Sequence, residues 1–369
     1  MHDDIYMLWL SSILPQLGSR KLNTLLEAFG TARHIFNATK AELQDAVKLT
    51  SHAINILTKN RTLGYIESLL TDMESLEMVY LARCNDRFPS LLKEIPDPPV
   101  GIFFIGTLPA DNTNKIAIIG SRKCSEYGLM TARTIAQPLA KDGIVIVSGM
   151  ARGVDSMAHR GALQGGGQTI AVLGCGVDIC YPSENKTLRA DIIKNGCVLS
   201  EYPPGTRPAP AFFPARNRII SGLCQGVIVT EATKRSGTLI TVQQAIEQGR
   251  EVFSVPGNIS SKLSQGTNEL IRDGAYPIAD HTDVLQVLGI TPIATTKNNE
   301  KDKHQRKSLQ NLAPDENQVY DSLTFEATSF DMLIETTGIS PGKLHLICMN
   351  LELKGLARKL SGNRYVRGL

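Results

Sequence analysis

The sequence predicts an α/β protein whose centre is an extended, Rossmann-like, doubly wound and mostly parallel sheet. A small N-terminal helical region and a C-terminal winged-helix-like region flank it. Three observations predict this. Short β-branched runs alternate with glycine-bearing loops and helical periodicity between residues 115 and 257, heptad-like apolar spacing fills the first 80 residues, and the composition turns polar and then helical again after residue 288.

The central runs are KIAIIG (115–120), GIVIVSG (143–149), QTIAVLG (168–174), CVLSE (197–201), GVIVTEA (226–232) and EVFSVPG (251–257). Apolar runs of four or five residues leave no solvent face. With helical segments at 127–139, 154–163 and 239–248 between them, they predict strands covered on both sides and joined by right-handed crossovers. In the first region, Leu22, Leu25, Leu26 and Phe29 recur at helical spacing and Gly30 stops the run. The turn from Pro15 to Ser19 has SAM or helix-hairpin-helix character, but Gln16 stands where such hairpins usually carry glycine. A packing role is therefore expected of residues 1–80, with the sheet domain at 81–290.

Residues 291–314 are polar, charged and aperiodic, and read as a linker. From 315 to 369 the order is helix, helix, a Gly338-Ile339-Ser340-Pro341 turn, a third helix bearing Leu344, Ile347, Cys348 and Leu351, and a hairpin around Gly362-Asn363. That is the order of a winged helix. Six Lys/Arg against one acid between Ser340 and Leu369 fit either DNA contact or protein docking.

Composition narrows the function less than the motifs do. The chain has 369 residues, 42% hydrophobic and 20% charged, and a formal net charge of +3, which names no partner. Seven scattered cysteines form no C-x-x-C pair or zinc-like cluster, so free thiols in a reducing cytoplasm are expected, with no metal. The N-terminus carries acids where a signal peptide carries bases, and no run approaches the roughly 20 apolar residues of a membrane span.

Open parallel sheets bind ligands beyond the carboxyl ends of their strands. After the first central strand stand Gly120, Ser121 and Arg122; after the second, Ser148 and Gly149, then Arg152 and Gly153. Small residues admit a ligand close to the backbone, and free amides at a helix start cradle an oxyanion, so these loops predict a phosphate site. No Walker A motif is present. Gly174-Cys175-Gly176 begins a dinucleotide fingerprint, but Ile179 replaces its third glycine and Tyr181-Pro182 follows in place of a helix. Neither ATP hydrolysis nor NAD binding is expected.

Asp155 and His159, four apart, read as a structural carboxylate–imidazole pair, and Glu201 and Glu231 as loop acceptors at strand ends. No nucleophile or metal cluster accompanies them, so no catalytic residue is assigned. The proline-rich segment before Pro214 reads as an extended loop delivering Phe212, Phe213 and Arg216 to the binding face. Arg216, Asn217 and Arg218 follow, and Lys234, Ser236 and Gly237 begin another helix. Guanidinium forks beside a stacking ring make a groove for single-stranded nucleic acid, while a core phenylalanine with rim arginines is the structural alternative.

GSRKCSEYG, SGMARGVDSMAHRGAL, AVLGCGVDICYPSENKTL, SEYPPG, FPARNRIISGL, EATKRSGTLITVQQAIEQGREVFSVPG and GTNELIRDGA occur in this order over residues 116–275. Together they resemble the DprA (Smf) family of DNA-processing proteins. The resemblance implies a cytoplasmic, dimeric, non-enzymatic protein without a cofactor that binds single-stranded DNA, protects strands taken up in natural transformation and loads the RecA recombinase. It implicates Gly120, Ser121, Arg122, Ser148, Gly149, Arg152, Gly153, Phe213, Arg216, Asn217 and Arg218, together with Lys234, Ser236 and Gly237. A competing reading is a nucleotide-processing enzyme resembling the phosphoribohydrolases. Those enzymes follow P-G-G-x-G-T with a catalytic glutamate, whereas Lys234-Arg235-Ser236-Gly237-Thr238 is followed by no glutamate before Glu247.

Overall fold

The computed structural model describes residues 4–292, 312–324, 327–360 and 362–367, so most of the expected linker, 293–311, lies outside the described residues. Two compact units emerge, one holding the first helices and the large sheet, the other the C-terminal region.

Nine strands form the large sheet: β1 (Val79–Ala82), β2 (Gly101–Gly106), β3 (Lys115–Ile119), β4 (Val145–Ser148), β5 (Thr169–Val172), β6 (Gly196–Ser200), β7 (Gly226–Val229), β8 (Glu251–Ser254) and β9 (Tyr276–Pro277). Their order is β1-β2-β6-β5-β4-β3-β7-β8-β9. From β6 to β9 every pairing is parallel, with Ile116 opposite Ile146 on one side and Gly226 on the other. Every residue of β3 to β7 is buried, as continuous apolar runs require when helices cover both faces. The β1 and β2 strands, which strand–loop–helix repetition does not reveal, add an antiparallel edge beside β6.

Side chains alternate between two cores. Phe103, Ala171 and Val198 face the first helices, where Trp9, Leu22 and Leu25 are fully buried, while Ile102, Phe104, Ile170, Val172 and Leu199 enter the opposite core. The first helices start on threonine caps. Thr31, Thr39, Thr50 and Thr62 each accept a bond from the backbone N–H three residues on, satisfying a donor that the helix leaves unpaired. One expectation changes downstream: the helix after the proline-rich loop spans Phe212–Gly222 and so includes Pro214, which the first helical turn tolerates because it needs no N–H there.

In the C-terminal unit, helices Pro314–Ser322, Phe330–Thr337 and Pro341–Leu353 accompany strands β10 (Thr328–Ser329), β11 (Ala357–Leu360) and β12 (Arg364–Arg367) in the order β10-β12-β11. Val319, Leu333, Leu344, Cys348 and Leu351 form its core. Gly362 and Asn363 both take positive φ, 79° and 54°, in the turn of the wing. Among the described residues no helix is long and apolar enough to cross a membrane.

Candidate nucleic-acid interface

The strand order reverses at β3, which pairs with β4 on one side and β7 on the other. Loops leaving neighbouring strands on opposite sides of such a switch point part and open a crevice. Here the crevice is a cleft of about 780 Å³, bordered by Gly120–Lys123, by Tyr181, Phe213 and Asn217, and by Ser236–Thr238. The sequence-predicted loops therefore meet.

Two glycines show why these loops have their composition. At Gly153 φ is +77°, and an added Cβ would lie 2.6 Å from the Ser121 carbonyl oxygen. A Cβ at Gly149 would lie 2.6 Å from Nη2 of Arg216. Ser121 anchors the first loop by donating its N–H to the Glu231 carbonyl at 2.8 Å, while its hydroxyl accepts from Lys123 N at 3.2 Å. Arg122 is left exposed, its guanidinium carbon 5.3 Å from the centre of the Phe213 ring.

The two phenylalanines divide their roles. Phe212 stacks on Tyr202 at 4.4 Å between ring centres and packs against the core beneath the first helices. Phe213 is half-buried in the cleft, 5.5 Å from the Tyr181 ring at an interplanar angle of 30°. Tyr181, 43% exposed, was not a sequence candidate. The available signal was an aromatic residue in the loop after the Gly-Cys-Gly strand end. Behind the ring pair a smaller pocket of about 60 Å³ reaches Gly174, Cys175 and Arg216. Burial pushes the Cys175 thiol up to about 11, so it stays protonated and weakly nucleophilic at neutral pH.

Arg216 lines the cleft and Arg218 does not. Arg216 is only 4% exposed, on the cleft floor, where Nη1 donates to the Gly149 carbonyl at 2.9 Å and to the Val172 carbonyl, and Nε donates to Asn217 Oδ1 at 3.2 Å. Burial lowers its pKa to about 10, against the opposing pull of Asp155, and it remains charged. It ties the ends of β4 and β5 together. Arg218 is not brought to the cleft: its guanidinium grips Glu201 at 3.0 and 2.6 Å and Asp97 at 3.1 Å, and it is 6% exposed. Two carboxylates already balance its charge, so it has none to offer a phosphate. Burial disfavours the Arg218 charge, but those carboxylates outweigh it and raise its pKa.

The remaining candidates differ in their availability. Arg152 stands at the entrance to the smaller pocket, paired with Glu184 through 2.6 and 2.7 Å bonds. Ser148 is fully buried and donates to the Ile118 carbonyl at 2.7 Å, so it supports the loop from below. Ser236 and Gly237 border the cleft, whereas Lys234 is exposed outside its lining. Asp155 and His159 are both buried but serve different partners. Asp155 accepts from Ala151 N at 3.3 Å, and its carboxyl is pushed up by burial against the pull of Arg216; His159 Nδ1 meets the Thr169 hydroxyl at 2.7 Å. Burial lowers the imidazole to about 3 and keeps it neutral.

A model of the DNA recombination-mediator protein A family matches residues 79–289, and a DprA winged helix domain matches 303–363. The DNA processing protein DprA of Streptococcus pneumoniae is 49% identical over 201 residues, 54% of this chain and 71% of that protein. Protein Smf of Escherichia coli is 34% identical over 330 residues, 88% of this chain and 87% of its own. The X-ray structure of the S. pneumoniae protein superposes with a TM-score of 0.66 at 37% identity, covering 78% of this chain and 98% of that one. A Helicobacter pylori DNA processing protein A, described for its single-stranded DNA binding mode, gives 0.52 at 33% identity, covering 57% and 95%. With its phosphate-type loops, switch-point cleft and winged helix, this chain belongs to the DNA recombination-mediator protein A family.

Proposed function

We propose that the switch-point cleft binds single-stranded DNA. The observation that carries this reading is the juxtaposition, in one cleft, of the glycine loop Gly120–Arg122 with the Phe213–Tyr181 ring pair. Backbone amides and the exposed Arg122 suit phosphate oxygens, and an aromatic face suits any unpaired base, because every base has a π surface. A duplex hides its base faces and loses that contact.

Family membership and the H. pylori relative's single-strand binding support the wider reading of a cytoplasmic, dimeric protein that protects incoming single strands and passes them to RecA. Its action is binding, not catalysis. Asp155, His159 and Cys175 are buried, and each is engaged by protein atoms. Nucleoside monophosphates incubated with the protein are expected to release no free base.

The deciding experiment is an anisotropy titration of a fluorescent oligothymidylate and a matched duplex over a range of salt concentrations. Wild type should prefer the single strand, with affinity falling steeply as salt rises. Phe213→Ala should lose about 1–3 kcal/mol of binding free energy. Arg122→Ala should weaken binding and flatten the salt slope by about one phosphate contact. Unchanged affinity in both variants would remove the DNA site from this cleft.

A further inference from the structure

The cleft-lining helix Phe212–Gly222 is held from beneath by the first helical region, through one carboxylate. Asp97 Oδ1 accepts from the Asn23 side-chain amide at 2.7 Å, and Oδ2 accepts both the Ser19 hydroxyl at 2.6 Å and Arg218 Nε at 3.1 Å. Asn23 is itself fixed, donating to the Pro98 carbonyl at 2.9 Å and accepting from Arg83 at 2.7 Å. Arg218 completes the chain by donating two hydrogen bonds to Glu201, which follows β6. An apolar link runs beside it: Phe212, adjacent to the stacking ring Phe213, packs into the same core as Trp9, Leu22 and Leu25 of the first helices.

We propose that Asp97 is a positioning residue, through which the first helices set the rotation and height of the Phe212–Gly222 helix and hence the presentation of Phe213 to a DNA base. This inference rests on the single-strand reading of the cleft. A guanidinium fork bonded to two carboxylates on different elements fixes a helix about its own axis better than apolar contact does, because each bond is directional and the Arg218 and Glu201 charges are buried. Arg218 lies two positions from the cleft-floor Arg216 and five from Phe213, so rotation that releases Arg218 moves both along with it. Neither Ser19 nor Asn23 lines the cleft, yet they hold the carboxylate that holds Arg218.

The test measures base stacking separately from phosphate contact. Wild type, Asp97→Asn, the Ser19→Ala/Asn23→Ala double variant and Arg218→Lys are titrated with an oligothymidylate carrying one 2-aminopurine, whose fluorescence falls on stacking. Expected is a loss of affinity of about 3- to 10-fold in the variants, with weaker quenching at saturation, an unchanged salt slope and unchanged far-UV circular dichroism. Lysine retains charge opposite Glu201 but lacks the planar fork that meets Glu201 bidentately and Asp97 at once, so Arg218→Lys should share the stacking defect. The double variant keeps the test valid if Asp97→Asn folds poorly. Wild type that binds no single strand refutes the cleft reading itself. Wild type that binds, with Asp97→Asn and the double variant equal to it in affinity and quenching, refutes the coupling alone.

Discussion

Two helix starts in this molecule look alike in sequence and are used in opposite ways. Ser19 opens the helix Ser19–Phe29 after Gly18, and Thr238 opens Thr238–Glu247 after Ser236-Gly237. Neither capping glycine can supply a side-chain bond, and each start carries the positive end of its helix dipole. At the first, Asp97 supplies a negative charge from inside the protein, bound to Ser19 and Asn23. At the second, the turn itself meets the first N–H groups, Thr238 N through Ser236 Oγ at 3.2 Å and Leu239 N and Ile240 N through the Ser236 and Gly237 carbonyls at 3.1 and 3.2 Å, and the helix start borders the open cleft. A helix-hairpin-helix spends its hairpin on a DNA phosphate; here the corresponding turn is occupied by a carboxylate of the same chain. The difference teaches that an anion-friendly helix start is a candidate interface only where the fold has not already filled it.

The comparison is broken most severely by removing the cation that makes the filled side tolerable. Arg218→Ala leaves Glu201, 2% exposed, beside Asp97 without the cation that grips it. The expected loss is about 3–5 kcal/mol, read from the urea midpoint. A loss below 1 kcal/mol would mean that the buried charges are solvated by other means. At the open side the corresponding change is steric. Gly153→Ala places a methyl group against two backbone oxygens at a φ of +77°, for an expected cost of about 1–3 kcal/mol. It should also weaken single-strand binding, because the Ser121–Arg122 backbone it displaces borders the cleft.

Matched serine variants sharpen the contrast at smaller cost. Ser19→Ala should destabilise by about 1 kcal/mol, since it removes a 2.6 Å bond to a charged acceptor. Ser236→Ala, at a solvent-facing start, should change stability by less than about 0.5 kcal/mol. Equal losses in the two variants would erase the distinction between a filled and an open start.

How much of this was legible in the sequence depends on whether a feature is local. Parallel strands buried on both faces must be unbroken apolar runs, so β3 to β8 could be read directly. GIFFIG at β2 is no less apolar, but nothing within it specifies that it runs antiparallel beside β6. In the site, the cleft-bordering loops were legible because close backbone approach demands glycine. The roles of Arg216 and Arg218 were not. A spacing of two residues turns them about 200° apart on a helix, which foretells opposite directions. Which direction meets the cleft depends on Glu201 and Asp97, 17 and 121 residues away along the chain. Phe212 and Phe213 separate for the same reason: their surroundings come from Tyr202 and Tyr181, on different loops.

Acid provides the mildest probe of the filled helix start. Burial alone would raise the Asp97 carboxyl, but the Arg218 charge and the Ser19 and Asn23 bonds outweigh it and hold the group below its ordinary 3.8. The sign follows from proton counting. Near and below pH 3.8 the unfolded chain takes up a proton on this residue while the folded protein resists it, so folding stability rises with pH through that window. Asp97 therefore contributes its full share above 3.8 and loses it as the pH falls through the folded value. Urea midpoints measured from pH 6 downward should show a decline to which Asp97→Asn contributes no titrating group, so the wild-type curve should be the steeper of the two in that acid window. Parallel curves would show that the Asp97 bonds are no stronger than those the carboxylate makes with water. The helix start would then be filled in geometry alone, and its contrast with the open start at Thr238 would be one of shape, not of charge.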